Sequence, residues 1–249
     1  MSVYIHGGLR CPIGVLNGQY KRMRPEMLGA QLIDELINRH SILQVDGLFC
    51  GNAVGTGGNI GRLMGLMCKL PNSVPAITVD MQCASALMSI EIAYAHIVSG
   101  IMDSAIAGGI ESSSLQPERV YASGDDRKGT YKVAQFTPQD QSPLAMLEGA
   151  ERTIHKHNVT KEDLYPHIIG SHQRASAALD NPYLQSYIMP IIIDGKRCID
   201  ECIRPTMNEK LLSRMKPLLG ADSSTNAGNA CLTHDGAAFV YLSNKKRSF

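Results

Sequence analysis

The run Ile77-Thr78-Val79-Asp80-Met81-Gln82-Cys83-Ala84-Ser85-Ala86-Leu87 ends a β-branched stretch on a cysteine and then opens into small residues. A thiol so placed stands at the start of a helix, where free amides and the positive end of the dipole favour a thiolate. A thiol acidified in this way is a usable nucleophile near neutral pH. Ala84, Ser85 and Ala86 leave room for a carbonyl to approach, and the Cys83 N–H can donate to an oxyanion. The helix is expected to be buried, with Leu87, Ile90, Ile97 and Val98 as its apolar side and Gly100 at its C-terminal cap. Taken alone, Cys83 fits a buried structural thiol better, because free cysteine is among the most buried residue types. The flanking motifs decide between the two.

Other side chains offer less. Seven cysteines, at 11, 50, 68, 83, 198, 202 and 231, are odd in number and irregular in spacing. A disulfide framework is therefore not expected. Cys198 and Cys202 have no second pair at zinc-ligand spacing, and His155 and His157 fall on different sides of a helix. No metal is expected. A net charge of +1 over 249 residues offers nothing to nucleic acid or to a membrane surface. The short Lys245-Lys246-Arg247 run reads as a solvated tail. No apolar run is long enough to span a bilayer, and Met1–His6 reads as a strand, not a signal peptide. A cytoplasmic protein is the expectation.

The elements that must hold Cys83 alternate. Val3–His6 is a strand. Pro25 suits a first helical turn, and Met27, Leu28, Leu32, Ile33, Leu36 and Ile37 follow at helical spacing. Gly47–Val54, Ala76–Asp80 and Ser104–Ala107 read as strands, the last closed by Gly108-Gly109. Gly55-Thr56-Gly57-Gly58-Asn59-Ile60-Gly61-Arg62 reads as a glycine-rich turn into a helix. The pattern predicts an α/β layered domain with a largely parallel sheet. From about Leu115 to Leu219 strand signals are few. Helices are predicted over Pro143–His157 and Lys161–Ala178, the second with Thr160 and Asp163 as a capping box. Phe239–Leu242 is a last strand that rejoins the first domain.

Five segments, in order, are similar to thiolase motifs. They are Arg10-Cys11-Pro12-Ile13-Gly14; Gly51-Asn52-Ala53-Val54 with Gly58 to Arg62; Asp80 to Leu87; Ala107-Gly108-Gly109-Ile110-Glu111-Ser112-Ser113-Ser114; and Asn226 to Ala238. Each is weak alone, and jointly they are specific. The chain resembles the N-terminal part of a thiolase, that is, an acetyl-CoA acetyltransferase or acyltransferase. The resemblance implies a layered α/β/α domain with a five-stranded mixed sheet, formed by 1–115 and 220–249. It implies an inserted, mostly helical loop domain over 116–219 on the coenzyme A side.

The resemblance also implies acyl transfer between thioesters, with Cys83 as the acyl carrier and its N–H as half of an oxyanion hole. Coenzyme A enters as a substrate, not as a permanently bound cofactor. Met146, Arg204, Leu211 and Leu219 fall where the family contacts it, and Ala227 and Cys231 on the loop facing the pantetheine. Arg204 is equally well read as a phosphate contact or as a surface arginine. Thiolases have a second half that supplies an activating histidine and a second cysteine, and its motifs do not occur here. The expectation is a partner chain that supplies this half in trans, in a homodimer through the nucleophile domain or a hetero-oligomer; the alternatives are an incomplete thiolase-like protein that binds coenzyme A or acts as a partner subunit, and a truncated product of a longer enzyme. Three departures stand near the site: Ala86 for a glycine, Cys231 for a serine, and Ala145 where many members have a histidine. His234, in place of an asparagine, is more readily read as structural than as a base.

Overall fold

The computed structural model describes residues 2–55, 57–132, 134–135, 137–138 and 142–246. Thr56 of the glycine-rich turn and Arg247 of the basic run lie outside them. In chain order the elements are β1 (Tyr4–Arg10), β2 (Gly14–Val15), α1 (Pro25–Arg39), β3 (Gly47–Gly51), α2 (Ile60–Met67), β4 (Ala76–Val79), α3 (Ser85–Val98), β5 (Ser104–Ser112), β6 (Arg119–Val120), β7 (Thr130–Tyr131), α4 (Ala145–Lys156), α5 (Lys161–Leu179), α6 (Pro182–Gln185), β8 (Ile192–Ile193), β9 (Lys196–Arg197), α7 (Glu209–Leu212) and β10 (His234–Ser243).

They pack as two compact units. The first comprises Met1–Gln116, Pro182–Cys202 and Thr233–Phe249; the second comprises Pro117–Asn181 and Ile203–Leu232. The dividing points differ from the expected 116–219 insertion. Pro182–Cys202 packs with the sheet because Arg10 donates to both Asp200 oxygens at 2.7 Å, and Glu201 accepts the N–H groups of Val15 and Gln19. Residues 220–232 belong with the helices of the second unit.

The main sheet of the first unit runs β1-β10-β5-β3-β4, with β2 paired to the start of β10. β3 is parallel to β4 and β5, whereas β10 is antiparallel to β1 and β5. Strand alternation sorts the side chains into two layers. Leu48, Ile106, Ile110, Phe239 and Tyr241 face one side with α1 and α2; Phe49, Ala105, Ala107 and Leu242 face the other with Ala93 and Ile97 of α3. α1 forms as its spacing predicts: Pro25 occupies the first turn, and Leu28, Leu32, Ile33 and Leu36 are buried. Each such buried side chain contributes about 1.5–3 kcal/mol.

Two sequence expectations need correction. β5 does not close at Gly108-Gly109; it runs through them to Ser112. A Cβ on Gly108 would lie 2.1 Å from the Ala238 carbonyl oxygen, so the glycine permits the close approach of β10. Ser89 of α3 ties the helix to the same residue, accepting the Gly108 N–H at 3.0 Å and donating to the Gly108 carbonyl at 2.6 Å. Nor is α3 buried all round. Leu87, Tyr94 and Val98 are 68%, 51% and 38% exposed, and with Glu91 they form one outward stripe.

In the second unit, α4 and α5 lie where the sequence placed them. Thr160 accepts the Asp163 N–H, and Asp163 accepts the Thr160 N–H at 2.8 Å, completing the capping box. Tyr165, Met207 and Leu212 form its small core. Among the described residues no helix is long and apolar enough to cross a membrane.

Candidate functional site

The Cys83 turn is set on the sheet by glycine. A Cβ on Gly51, the last residue of β3, would lie 2.4 Å from the Ala86 nitrogen. The first turn of α3 therefore rests directly on the strand end. Helical structure begins at Ser85, with Ala84 as a cap that offers no side-chain acceptor. Cys83 thus precedes the helix, and it is exposed. The N–H groups of Ala84 and Ser85 close the turn on the carbonyls of Met81 and Gln82, both at 3.1 Å.

Burial separates the thiols. It pushes Cys50 up to about 12 and raises Cys11, Cys68 and Cys198. Such sulfurs are poor nucleophiles. Cys83 and Cys231 are the exposed ones.

Cys83 lines a cavity of about 450 Å³ at the C-terminal ends of β3 and β5. Gly51, Asn52, Ala53 and Val54 form one wall, Ala86 and Gly109 the floor, and His234 with Asp235 another wall. Two acids that sequence reasoning did not single out shape it. Glu111 accepts from Asn52 Nδ2 at 2.9 Å, Ala53 N at 2.9 Å, Val54 N at 2.8 Å and Gly55 N at 3.1 Å. Asp235, 1% exposed, accepts from the Ser114 N–H at 2.9 Å and from the Ser114 hydroxyl. Both acids stand inside the quoted motifs, and that was the only signal for them. His234 pairs with Val15 in the ladder between β10 and β2, so its backbone has a structural role, and the residue also lines the cavity.

A second cavity, of about 620 Å³, lies within the second unit. α4 contributes Met146, Ala150 and Ile154; α5 contributes Leu164, His167, Ile168, Ser171 and His172. Both sets follow helical spacing. The remaining wall is Thr225 with Gly228 to Cys231. Of the expected coenzyme A contacts, Met146 and Cys231 meet here. Arg204, Leu211, Leu219 and Ala227 do not line this cavity. Arg204 is exposed, and its backbone N–H donates to His172 Nδ1 at 3.2 Å. Leu211 is on α7, half-exposed at 45%, and Ala227 is exposed on the loop.

Glu151 of α4 holds that loop. It accepts from Ser223 Oγ at 3.0 Å, Ser224 N at 2.8 Å and Thr225 N at 3.1 Å. Burial raises its carboxyl, but the Thr225 hydroxyl and these donors outweigh that and hold it below the usual range. The partners lie more than seventy residues away in sequence, so no spacing rule reveals them.

The thiolase N-terminal domain model matches residues 3–246. "Putative acetyl-CoA C-acetyltransferase VraB" of Staphylococcus epidermidis is 31% identical over 249 residues, covering 96% of this chain and 64% of that protein. The Staphylococcus aureus protein of the same name is 30% identical over 247 residues, covering 96% and 65%. The crystal structure of the Bacillus anthracis acetyl-CoA acetyltransferase superposes with a TM-score of 0.86 at 26% identity, covering 97% of this chain and 65% of that one. The chain therefore spans less than two thirds of the length of these relatives. With its layered fold and the family model matching nearly all of its length, the chain belongs to the thiolase family.

Proposed function

We propose that this chain carries acyl groups on Cys83 in thiolase-type transfer between coenzyme A thioesters, and that a C-terminal thiolase half supplied in trans completes the site. The observation that carries the reading is the exposed Cys83 thiol beside the first turn of α3, in a cavity of about 450 Å³. The thiolate attacks the thioester carbonyl. A bond forms from Sγ to the acyl carbon, the acyl carbon–sulfur bond breaks, and coenzyme A leaves as a thiol with the proton given up by Cys83. The Cys83 N–H is the donor for the oxyanion of the tetrahedral intermediate.

The partner half is supported by what lines and flanks the site. Among the described residues His234 is the single imidazole in the cavity wall, and no second cysteine lines it. The outward stripe of α3 borders an apolar groove of about 350 Å³ that includes Leu87, Ile90, Phe239 and Val240. A complementing domain covers such a face and brings the base. In the second unit, Met146 and Cys231 flank the pantetheine with Ala227, while Arg204, Leu211 and Leu219 take the nucleotide end. A homodimer fits the edge position of β4, where Ile77 is 42% exposed. The free thiols suit a reducing compartment, the cytoplasm.

Intact-protein mass spectrometry after incubation with acetyl-CoA, with and without a C-terminal thiolase half, tests the reading. An acetyl adduct on Cys83, strengthened by the partner, is expected. The cavity of about 620 Å³ in the second unit, lined by Met146 and Cys231, favours a second reading, a coenzyme A-binding subunit without chemistry of its own. That reading predicts no adduct in either arm and no effect of Cys83→Ala on coenzyme A binding.

A further inference from the structure

We propose that Asp80 and Ser85 are positioning residues for the acyl-transfer step, acting through the peptide group that joins Gln82 to Cys83. This rests on Cys83 being the acyl acceptor.

Gln82 has φ +52°, in the left-handed region that a side chain other than glycine seldom adopts. Both peptide groups that flank it are pinned. On the upstream peptide, the Gln82 N–H donates to Asp80 Oδ1 at 2.9 Å, and the Met81 carbonyl accepts from Ala84 N at 3.1 Å. On the downstream peptide, the Gln82 carbonyl accepts from Ser85 Oγ at 2.6 Å and from Ser85 N at 3.1 Å. Ser85 Oγ also accepts the Met81 N–H at 2.8 Å, so one buried hydroxyl ties the two sides of the turn together.

The consequence follows from peptide planarity. The carbonyl of Gln82 and the N–H of Cys83 belong to one rigid plane and point in opposite directions. Whatever fixes that carbonyl fixes the direction of the Cys83 N–H, the donor assigned to the oxyanion. Ser85 therefore aims the donor without touching the substrate, and Asp80 keeps Gln82 in the conformation that allows it. A strained φ held from both sides is the form such preorganisation takes.

The test compares two reactions of the same thiol in the 249-residue chain. Alkylation by iodoacetamide is a displacement with no oxyanion; acetylation by p-nitrophenyl acetate passes through one. Both are followed on the Cys83 peptide by mass spectrometry at about pH 9, where an ordinary thiol is largely ionised without a base. Ser85→Ala and Asp80→Ala are expected to slow acetylation about tenfold and to leave alkylation within about twofold. Asp80→Asn retains an Oδ1 acceptor and is expected to restore the wild-type acetylation rate. Equal losses in both reactions, or no loss in either, overturn the proposal. Asp80→Ala keeps the test open if Ser85→Ala does not fold. Failure of acetyl-CoA and p-nitrophenyl acetate alike to acetylate the wild-type Cys83 overturns the acyl-acceptor reading itself, a different result from an unchanged Ser85→Ala.

Discussion

The carboxylate of Glu111 accepts the backbone N–H of Val54 at 2.8 Å, tying the end of β5 to the loop that walls the Cys83 cavity. Together with Asn52, Ala53 and Gly55, four donors converge on one side chain. Glu111→Gln replaces an accepting oxygen by an NH₂ that faces N–H groups. The expected cost is about 2–3 kcal/mol, since charge-assisted hydrogen bonds are lost and donors are left unpaired. Urea denaturation measures the loss. Amide exchange at residues 53–55 should accelerate more than exchange in β3, whose ladder does not depend on Glu111.

Asp200 pairs with Arg10 through both oxygens and also accepts the Ile13 N–H at 2.7 Å. Burial alone would raise its carboxyl, but the Arg10 guanidinium and the Ile13 N–H outweigh it and leave it below the usual range. A group lowered in the folded state stabilises the fold above its unfolded value, near pH 3.9, and loses that contribution as pH falls through the folded value. Asp200→Asn should cost about 2 kcal/mol at neutral pH, moderated because Arg10 is partly exposed. The difference between variant and wild type should shrink below about pH 4. Melting curves at pH 7 and pH 3 check both the size and the sign.

Gly108→Ala tests the packing of β10 against β5. The new Cβ meets the Ala238 carbonyl oxygen at 2.1 Å and the Phe239 Cα at 2.7 Å, both backbone atoms that cannot step aside. Overpacking of this kind should cost about 3 kcal/mol or more. Gly65→Ala is the control, because its Cβ meets side-chain atoms alone, Leu48 at 3.3 Å and Ala76 at 3.7 Å. Thermal melts should show a large drop for the first variant and a small change of either sign for the second.

What could be read from the chain was local. α1 and α5 were legible because a first-turn proline, an apolar stripe and the Thr160–Asp163 box are signals carried within a few residues. The place of Cys83 between a strand end and α3 was legible because motif and turn sit together, although the helix starts at Ser85 with an alanine cap that sends no signal. The passage of β5 through Gly108-Gly109 was not legible, since glycine normally interrupts a strand and here serves a partner 130 residues away. Nor was the return of Pro182–Cys202 to the sheet unit, which rests on Asp200 and Glu201 reaching back to Arg10 and Val15. The carboxylates that anchor loops, Glu111 and Glu151, escape any spacing rule because backbone N–H groups are donors in every sequence.

Glu151 gives the prediction that bears most directly on the second cavity. Its oxygens hold Ser223, Ser224 and Thr225, and the chain then runs on into the wall formed by Gly228 to Cys231. His155 Nε2 lies 3.3 Å from the same carboxylate and adds attraction when protonated. If coenzyme A lies along this wall, releasing the loop loosens its site without touching Cys83. Glu151→Gln should weaken coenzyme A binding by about tenfold, or 1.4 kcal/mol, in titration calorimetry. Iodoacetamide alkylation of Cys83 should stay unchanged. Because the Glu151 carboxyl is held below its usual range, the wild-type affinity should persist down to about pH 4.3, the ordinary glutamate value. It should fall as the folded carboxyl takes up its proton below that. Unchanged affinity in Glu151→Gln would show that the Ser223–Cys231 segment does not hold coenzyme A, and would remove Cys231 and Ala227 from the proposed site.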